Sequence, residues 1–123
     1  MTTAATRLDG QTRYDLGPID RIPPGEGQTF LVEGREIAVF RSRITNELFA
    51  TQARCPHRKG LLADGIAGDG KVICPLHSYS FDLATGMPLG NACQPLRTYR
   101  AEVTADGRVL LWLAPAAGWG TTA

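Results

Sequence analysis

Histidine and cysteine are scarce in this chain: 123 residues carry two histidines and three cysteines. So few thiols exclude a disulfide-stapled scaffold and fit a reducing compartment. No apolar run approaches the roughly 20 residues needed to cross a membrane. Met1 to Arg13 has neither the apolar core of a signal peptide nor a twin arginine, so the protein is expected to stay in the cytoplasm with no membrane partner. Charge is balanced, with 13 basic and 12 acidic side chains and a net charge of +1. Basic residues form no runs, which argues against a nucleic-acid partner. A sustained helical period is missing as well. Fourteen glycines and eight prolines instead suit an all-β chain with frequent turns. There is no nucleotide-binding glycine fingerprint and no second metal motif, so the chain is not expected to be a complete oxidoreductase.

The few soft ligands that exist are gathered in one place. Cys55-Pro-His57 is followed, after the sixteen residues 58–73, by Cys74-Pro-Leu-His77. Both histidines and two of the three cysteines lie in these two clusters, each offering one thiol and one imidazole. A Cys₂His₂ set fits a lone tetrahedral zinc. It also fits a [2Fe–2S] cluster in which two imidazoles replace two thiolates on one iron. Zinc fingers usually pair Cys with Cys and His with His. One Cys and one His from each loop suits two equivalent loops gripping a dinuclear centre. The zinc reading, a non-redox interaction module, stays open at this point.

Along the chain, 1–13 reads as a flexible leader, 14–113 as the domain and 114–123 as a tail. Tyr14-Asp-Leu16 begins the first strand. Pro23 to Gly27 turns, and Thr29–Val32 pairs with Arg35–Phe40 across Glu33-Gly34. Ser42 to Asn46 turns again, and Glu47–Gln52 leads into the first cluster. Lys71–Ile73 and Tyr79–Leu83 flank the second, followed by the turn Ala84-Thr85-Gly86. Leu96–Val103 and Arg108–Leu113 form a hairpin across Asp106-Gly107, the strongest turn signal in the chain. Trp112 and Trp119 are expected to pack.

The C-x-H and C-x-x-H loops at this spacing resemble the Rieske family. The resemblance implies a two-part fold, an antiparallel β sandwich or barrel base with a small cluster-binding subdomain at about 53–83. It implies a Rieske-type [2Fe–2S] cluster with Cys55 and Cys74 on the inner iron and His57 and His77 on the outer. Pro56 and Pro75 would stiffen the loops. Gly60, Gly65, Gly68 and Gly70 would let backbone turn near the sulfides or serve as ordinary turns. Leu62 and Leu76 would rim the cluster or pack inward. Arg58 and Lys59 would steer an acidic partner or merely be solvated. Cys93 has no place in the motif and is expected to stay clear of metal.

Cys-Pro-His-Arg-Lys-Gly-Leu-Leu-Ala-Asp-Gly, then Cys-Pro-Leu-His-Ser-Tyr-Ser-Phe-Asp-Leu-Ala-Thr-Gly, with Cys93 and Arg97-Thr98-Tyr99, is most similar to the small subunit of assimilatory NAD(P)H-dependent nitrite reductase. That implies an accessory electron-transfer subunit beside a larger protein holding flavin and sirohaem. The alternative is the Rieske ferredoxin of an aromatic-ring dioxygenase, whose partners are an oxygenase and a flavin reductase. In high-potential Rieske proteins a serine and a tyrosine after the second loop donate to the cluster, and a disulfide ties the loops. By position, Tyr79 and Phe81 replace the hydroxyl donors, and Gly60 and Leu76 replace the cysteines. The resemblance therefore implies a potential near the low end of the range, roughly −150 to 0 mV.

Overall fold

The computed structural model describes residues 5–8, 11–45, 47–56, 60–68, 70–74, 79–90 and 94–113. The described residues are almost entirely β. In chain order the strands are β1 (Ala5–Leu8), β2 (Gln11–Pro18), β3 (Gly27–Val32), β4 (Arg35–Arg41), β5 (Leu48–Gln52), β6 (Ile66–Gly68), β7 (Lys71–Ile73), β8 (Ser80–Asp82), β9 (Pro88–Leu89), β10 (Thr98–Val103) and β11 (Arg108–Leu113). Single 3₁₀ turns at Ile19–Arg21 and Leu62–Asp64 are the only helical segments among them. One antiparallel sheet runs β1-β2-β11-β10-β5-β4-β3 and a second, smaller one runs β6-β7-β8-β9. The expected all-β fold with a base and an inserted small module is what is seen.

Local chemistry explains the strands. The β3–β4 hairpin turns at Glu33 and Gly34, both at positive φ (53° and 79°), the turn whose twist matches that of paired strands. The β10–β11 hairpin closes through Thr104, whose N–H donates to the Arg108 carbonyl and whose carbonyl accepts from Gly107. The large sheet curls because β10 changes partner along its length. Thr98 and Tyr99 pair with β5, and Arg100 to Val103 pair with β11. A register shift between Val109 and Leu110, opposite β2, adds to the bend. The inner face of the curl holds the first core, with Ile22, Ile37, Val39, Val109 and Leu111 almost fully buried.

β4 lies between two cores. Ile37 and Val39 point into the curled sheet, whereas Ala38 and Phe40 point out against the small one. Strand side chains alternate between faces, so four consecutive buried residues mean cover on both sides. The second core joins Ala38 and Phe40 to Leu62, Val72, Phe81, Leu83, Leu96 and the two cysteines Cys55 and Cys74. Gly27 pairs with Phe40 in β3–β4, and a Cβ there would stand 2.5 Å from the Phe40 ring. The absence of a side chain lets the ring lie flat across the strand.

The structure differs from the sequence reading at the N-terminus. The stretch read as a leader includes β1, Ala5–Leu8, paired with β2, which starts at Gln11 rather than Tyr14. Its Thr- and Ala-rich sequence has no clear alternation, and the pairing with β2 that extends the sheet is not visible locally. β6 and β9 were also not expected, being two or three residues long and defined only by their neighbours. The tail 114–123 lies outside the described residues.

Candidate metal centre

Each cysteine sits at the mouth of a hairpin tip, and the two tips close alike. The Cys55 N–H donates to the Gly60 carbonyl at 2.8 Å, and the Cys74 N–H to the Tyr79 carbonyl at 2.7 Å. In both, the bond spans five residues. The first tip continues β5. Arg54 bridges Leu61, and the Leu62 N–H donates to the Ala53 carbonyl. The second tip joins β7 to β8, where Ile73 pairs with Ser80. Both thiols are about 1% exposed and share the second core. His57, Arg58 and Lys59 of the first loop sequence and Pro75, Leu76 and His77 of the second lie outside the described residues, as does Cys93. The structure therefore brings together the cysteine half of the expected ligand set.

Two hydrogen-bonded clips fix the first tip to the base. Arg54 grips Glu36 of β4 with two bonds, Nε to Oε1 at 2.8 Å and Nη2 to Oε2 at 3.1 Å. That bidentate pair holds the Glu36 carboxyl below its ordinary range and the Arg54 guanidinium above its own. Gln52 is the second clip. Its Nε2 donates to the Arg54 carbonyl and its Oε1 accepts from the Arg97 N–H, both at 2.8 Å. Neither clip was read from the sequence. Glu36 and Arg54 are eighteen residues apart, and only the β4–β5 register, Ile37 opposite Gln52, makes them neighbours.

The residues flanking the cysteines fall into two groups. Phe81 is fully buried in the same core as both thiols, so its ring presents only hydrocarbon there. Leu62 is likewise fully buried; it packs inward and is not an exposed rim. Tyr79 is at the surface, 36% exposed. Gly70 sits at positive φ, and its carbonyl accepts from the Leu83 N–H, at the end of the small sheet away from the tips. It is an ordinary turn residue, whereas Gly68 ends β6 opposite Lys71, and both lie at the end of the small sheet away from the tips. A cavity of about 500 Å³ opens at that same end, lined by Arg41, Arg43, Ile44, Phe49, Gly68 and Leu83 among others. Neither cysteine lines it.

The residues present fit a Rieske centre in two respects. Two buried thiols stand at the mouths of two like tips, and each tip carries one histidine in its sequence. No helix among the described residues is long and apolar enough to cross a membrane.

Comparison with known proteins agrees with this arrangement. Residues 12–100 match the family model of the Rieske [2Fe–2S] domain. The chain is 37% identical over 97 residues to the ferredoxin subunit of anthranilate 1,2-dioxygenase from Burkholderia cepacia, covering 78% of this chain and 87% of that protein. Among solved structures it resembles a protein from Mycobacterium tuberculosis assigned as the small subunit of an NADH-dependent nitrite reductase. There the TM-score is 0.79 and the identity 25%, covering 88% of this chain and 100% of the other. The ferredoxin of carbazole 1,9a-dioxygenase from Nocardioides aromaticivorans IC177 aligns at a TM-score of 0.69 and 27% identity, covering 94% and 99%. The cofactor of this domain is a Rieske-type [2Fe–2S] cluster, which sets aside the zinc reading. Two matched hairpin tips, two buried thiols and a family match spanning both loops lead to one assignment: the chain belongs to the Rieske [2Fe–2S] domain family.

Proposed function

We propose that this chain is a one-electron carrier whose cluster is held by Cys55 and Cys74 on one iron and His57 and His77 on the other. We further propose that it works as the small subunit of an NAD(P)H-dependent nitrite reductase. A Rieske cluster accepts and releases single electrons. The protein's part is to hold the thiolates in a dry core and to keep the imidazoles in the tips, nearest a partner. The observation that carries the nitrite reductase reading is the structural likeness to the M. tuberculosis subunit, which spans the whole of that chain at a TM-score of 0.79. On this reading the protein is cytoplasmic, and nitrite is reduced only with a larger flavin- and sirohaem-bearing subunit.

A second reading, the ferredoxin of a ring-hydroxylating dioxygenase, is favoured by the 37% identity to the anthranilate dioxygenase ferredoxin. Partner capture separates the two. Tagged protein from its native cells should bring down a sirohaem protein; an oxygenase and a flavin reductase in its place would select the second reading. Ligation is tested by EPR of the reduced protein. His57→Ala and His77→Ala should each abolish the Rieske signal, and Cys93→Ser should retain it. Loss of the signal in the Cys93 variant would overturn the ligand set. Purified chain that turns over nitrite alone would overturn the accessory role.

A further inference from the structure

The two cysteine tips belong to different sheets. The first continues β5 of the large sheet, and the second joins β7 to β8 of the small one. The short segment 94–97, which leads into β10, is bonded to both sheets. On the small-sheet side, the Leu96 N–H donates to the Gly86 carbonyl at 2.7 Å, and Gly86 lies in the turn between β8 and β9. Leu96 itself is buried in the core that holds both thiols. On the large-sheet side, the Arg97 carbonyl accepts from the Gln52 main-chain N–H at 3.0 Å. The Arg97 N–H donates to Gln52 Oε1 at 2.8 Å. A continuous path of hydrogen bonds thus runs from the β8–β9 turn through 96–97 to Gln52.

Gln52 extends that path into the first tip. The β5–β10 ladder ends with Thr51 opposite Thr98. One step on, the Gln52 main chain makes one bond to Arg97, and its side-chain oxygen makes the other. The main-chain carbonyl of Gln52 accepts instead from the hydroxyl of Thr51, which is fully buried. The same side-chain amide then donates from Nε2 to the Arg54 carbonyl at 2.8 Å, one residue before Cys55. This asks for an acceptor and a donor on one group at one reach. A carboxamide supplies both, an ionised carboxylate only accepts, and a thioether offers no hydrogen to donate. The Arg54 side chain is held separately, by Glu36. The root of the first tip is therefore fixed through its backbone as well as its side chain.

We infer that Gln52 is a positioning residue for the cluster: through the 94–97 segment it keeps the first tip in fixed register with the second, so that Cys55 and Cys74 reach one iron at a single spacing. This rests on the electron-carrier reading with those two thiols as co-ligands, and adds what holds them in place. Groups that orient ligands from outside the ligand set decide how uniform a metal site is. Without the amide, the root of the first tip is free to shift against the small sheet, and the population of clusters becomes heterogeneous.

Three variants of the cluster-loaded protein test this. Gln52→Met keeps the length of the side chain and removes both side-chain bonds. Gln52→Glu keeps the acceptor for Arg97 and gives up the donor to Arg54. Val109→Ala weakens the core of the large sheet, where Val109 is buried, and leaves the path intact. Two readouts are taken: the line widths of the reduced cluster by EPR, and hydrogen exchange by mass spectrometry. Gln52→Met should broaden the EPR lines and speed exchange in the peptide 53–62 by roughly ten-fold relative to the peptide 108–113. Gln52→Glu should fall between Gln52→Met and wild type in exchange. Val109→Ala should lower the melting temperature yet keep wild-type line widths and the wild-type exchange ratio. Should Gln52→Met not load a cluster, Gln52→Glu carries the test on the same two readouts. Wild-type line widths and exchange in the Gln52 variants, or equal broadening in Val109→Ala, would overturn the proposal. A wild-type protein without a Rieske signal strikes the electron-carrier reading, whereas a normal wild-type signal with indifferent Gln52 variants strikes only the role of Gln52.

Discussion

At the residue scale, Phe81 is where the expected redox level can be tested. It is fully buried in the core that holds both cysteines and has no hydroxyl to offer the cluster. Hydrogen bonds to cluster sulfurs favour the more negative, reduced state and raise the potential. The wild-type midpoint is therefore expected at roughly −150 to 0 mV, and Phe81→Tyr should move it upward. Protein-film voltammetry at neutral pH checks both; a wild-type midpoint above about +100 mV, well inside the range of these centres, would remove the missing hydroxyls as the cause. Position 81 was legible in the sequence because it lies at a fixed distance from His77. The clips around the first tip were not. Glu36, Gln52 and Arg97 carry no local signal, and they meet Arg54 only because β4, β5 and β10 pair in one register.

The hairpins and turns were the most readable elements, since glycine and Asx residues mark them by their own conformational chemistry. Glu33-Gly34 and Asp106-Gly107 turn where expected. The Glu33 turn also carries strain, because a side-chain residue stands at φ 53°. Asparagine tolerates that region better, so Glu33→Asn should stabilise the protein by about 1 kcal/mol, read as a higher denaturant midpoint with an unchanged slope. Gly86 behaves in the opposite sense. It sits at φ 79°, and a Cβ there would lie 2.2 Å from the Leu96 carbonyl oxygen, while its own carbonyl accepts from the Leu96 N–H. Gly86→Ala should cost about 1–3 kcal/mol in the same experiment. A variant as stable as wild type would mean that the β8–β9 turn does not anchor the segment entering β10. The short strands β6 and β9 escaped the sequence reading for the reason that short strands generally do: pairing, not propensity, defines them.

At the scale of the whole molecule, one ion pair ties β2 to β11. Arg108 Nε donates to Asp15 Oδ2 at 2.8 Å across 93 positions of sequence, and Asp15 Oδ1 accepts from the Gly17 N–H. The Arg108 bond, helped by the Gly17 bond and opposed by partial burial, holds the Asp15 carboxyl below its ordinary value of 3.8. A carboxyl depressed on folding stabilises the native state above the unfolded pKa and loses that effect as pH falls through the folded one. Asp15→Asn should therefore lower the melting temperature at neutral pH, and the gap should close below about pH 4. A gap that persists undiminished in acid would assign the loss to packing instead.

The placement of β4 between two cores has a further consequence. Its inner residues Ile37 and Val39 are locked into the curled sheet, and its outer residues Ala38 and Phe40 are locked into the core that contains both thiols. Interiors packed on both sides deform little. An electron arriving at a cluster held by those thiols would meet a frame that barely shifts, so the nuclear reorganisation accompanying each transfer would be small. A strand that serves stability in two directions would thereby also set how fast charge can tunnel through the molecule.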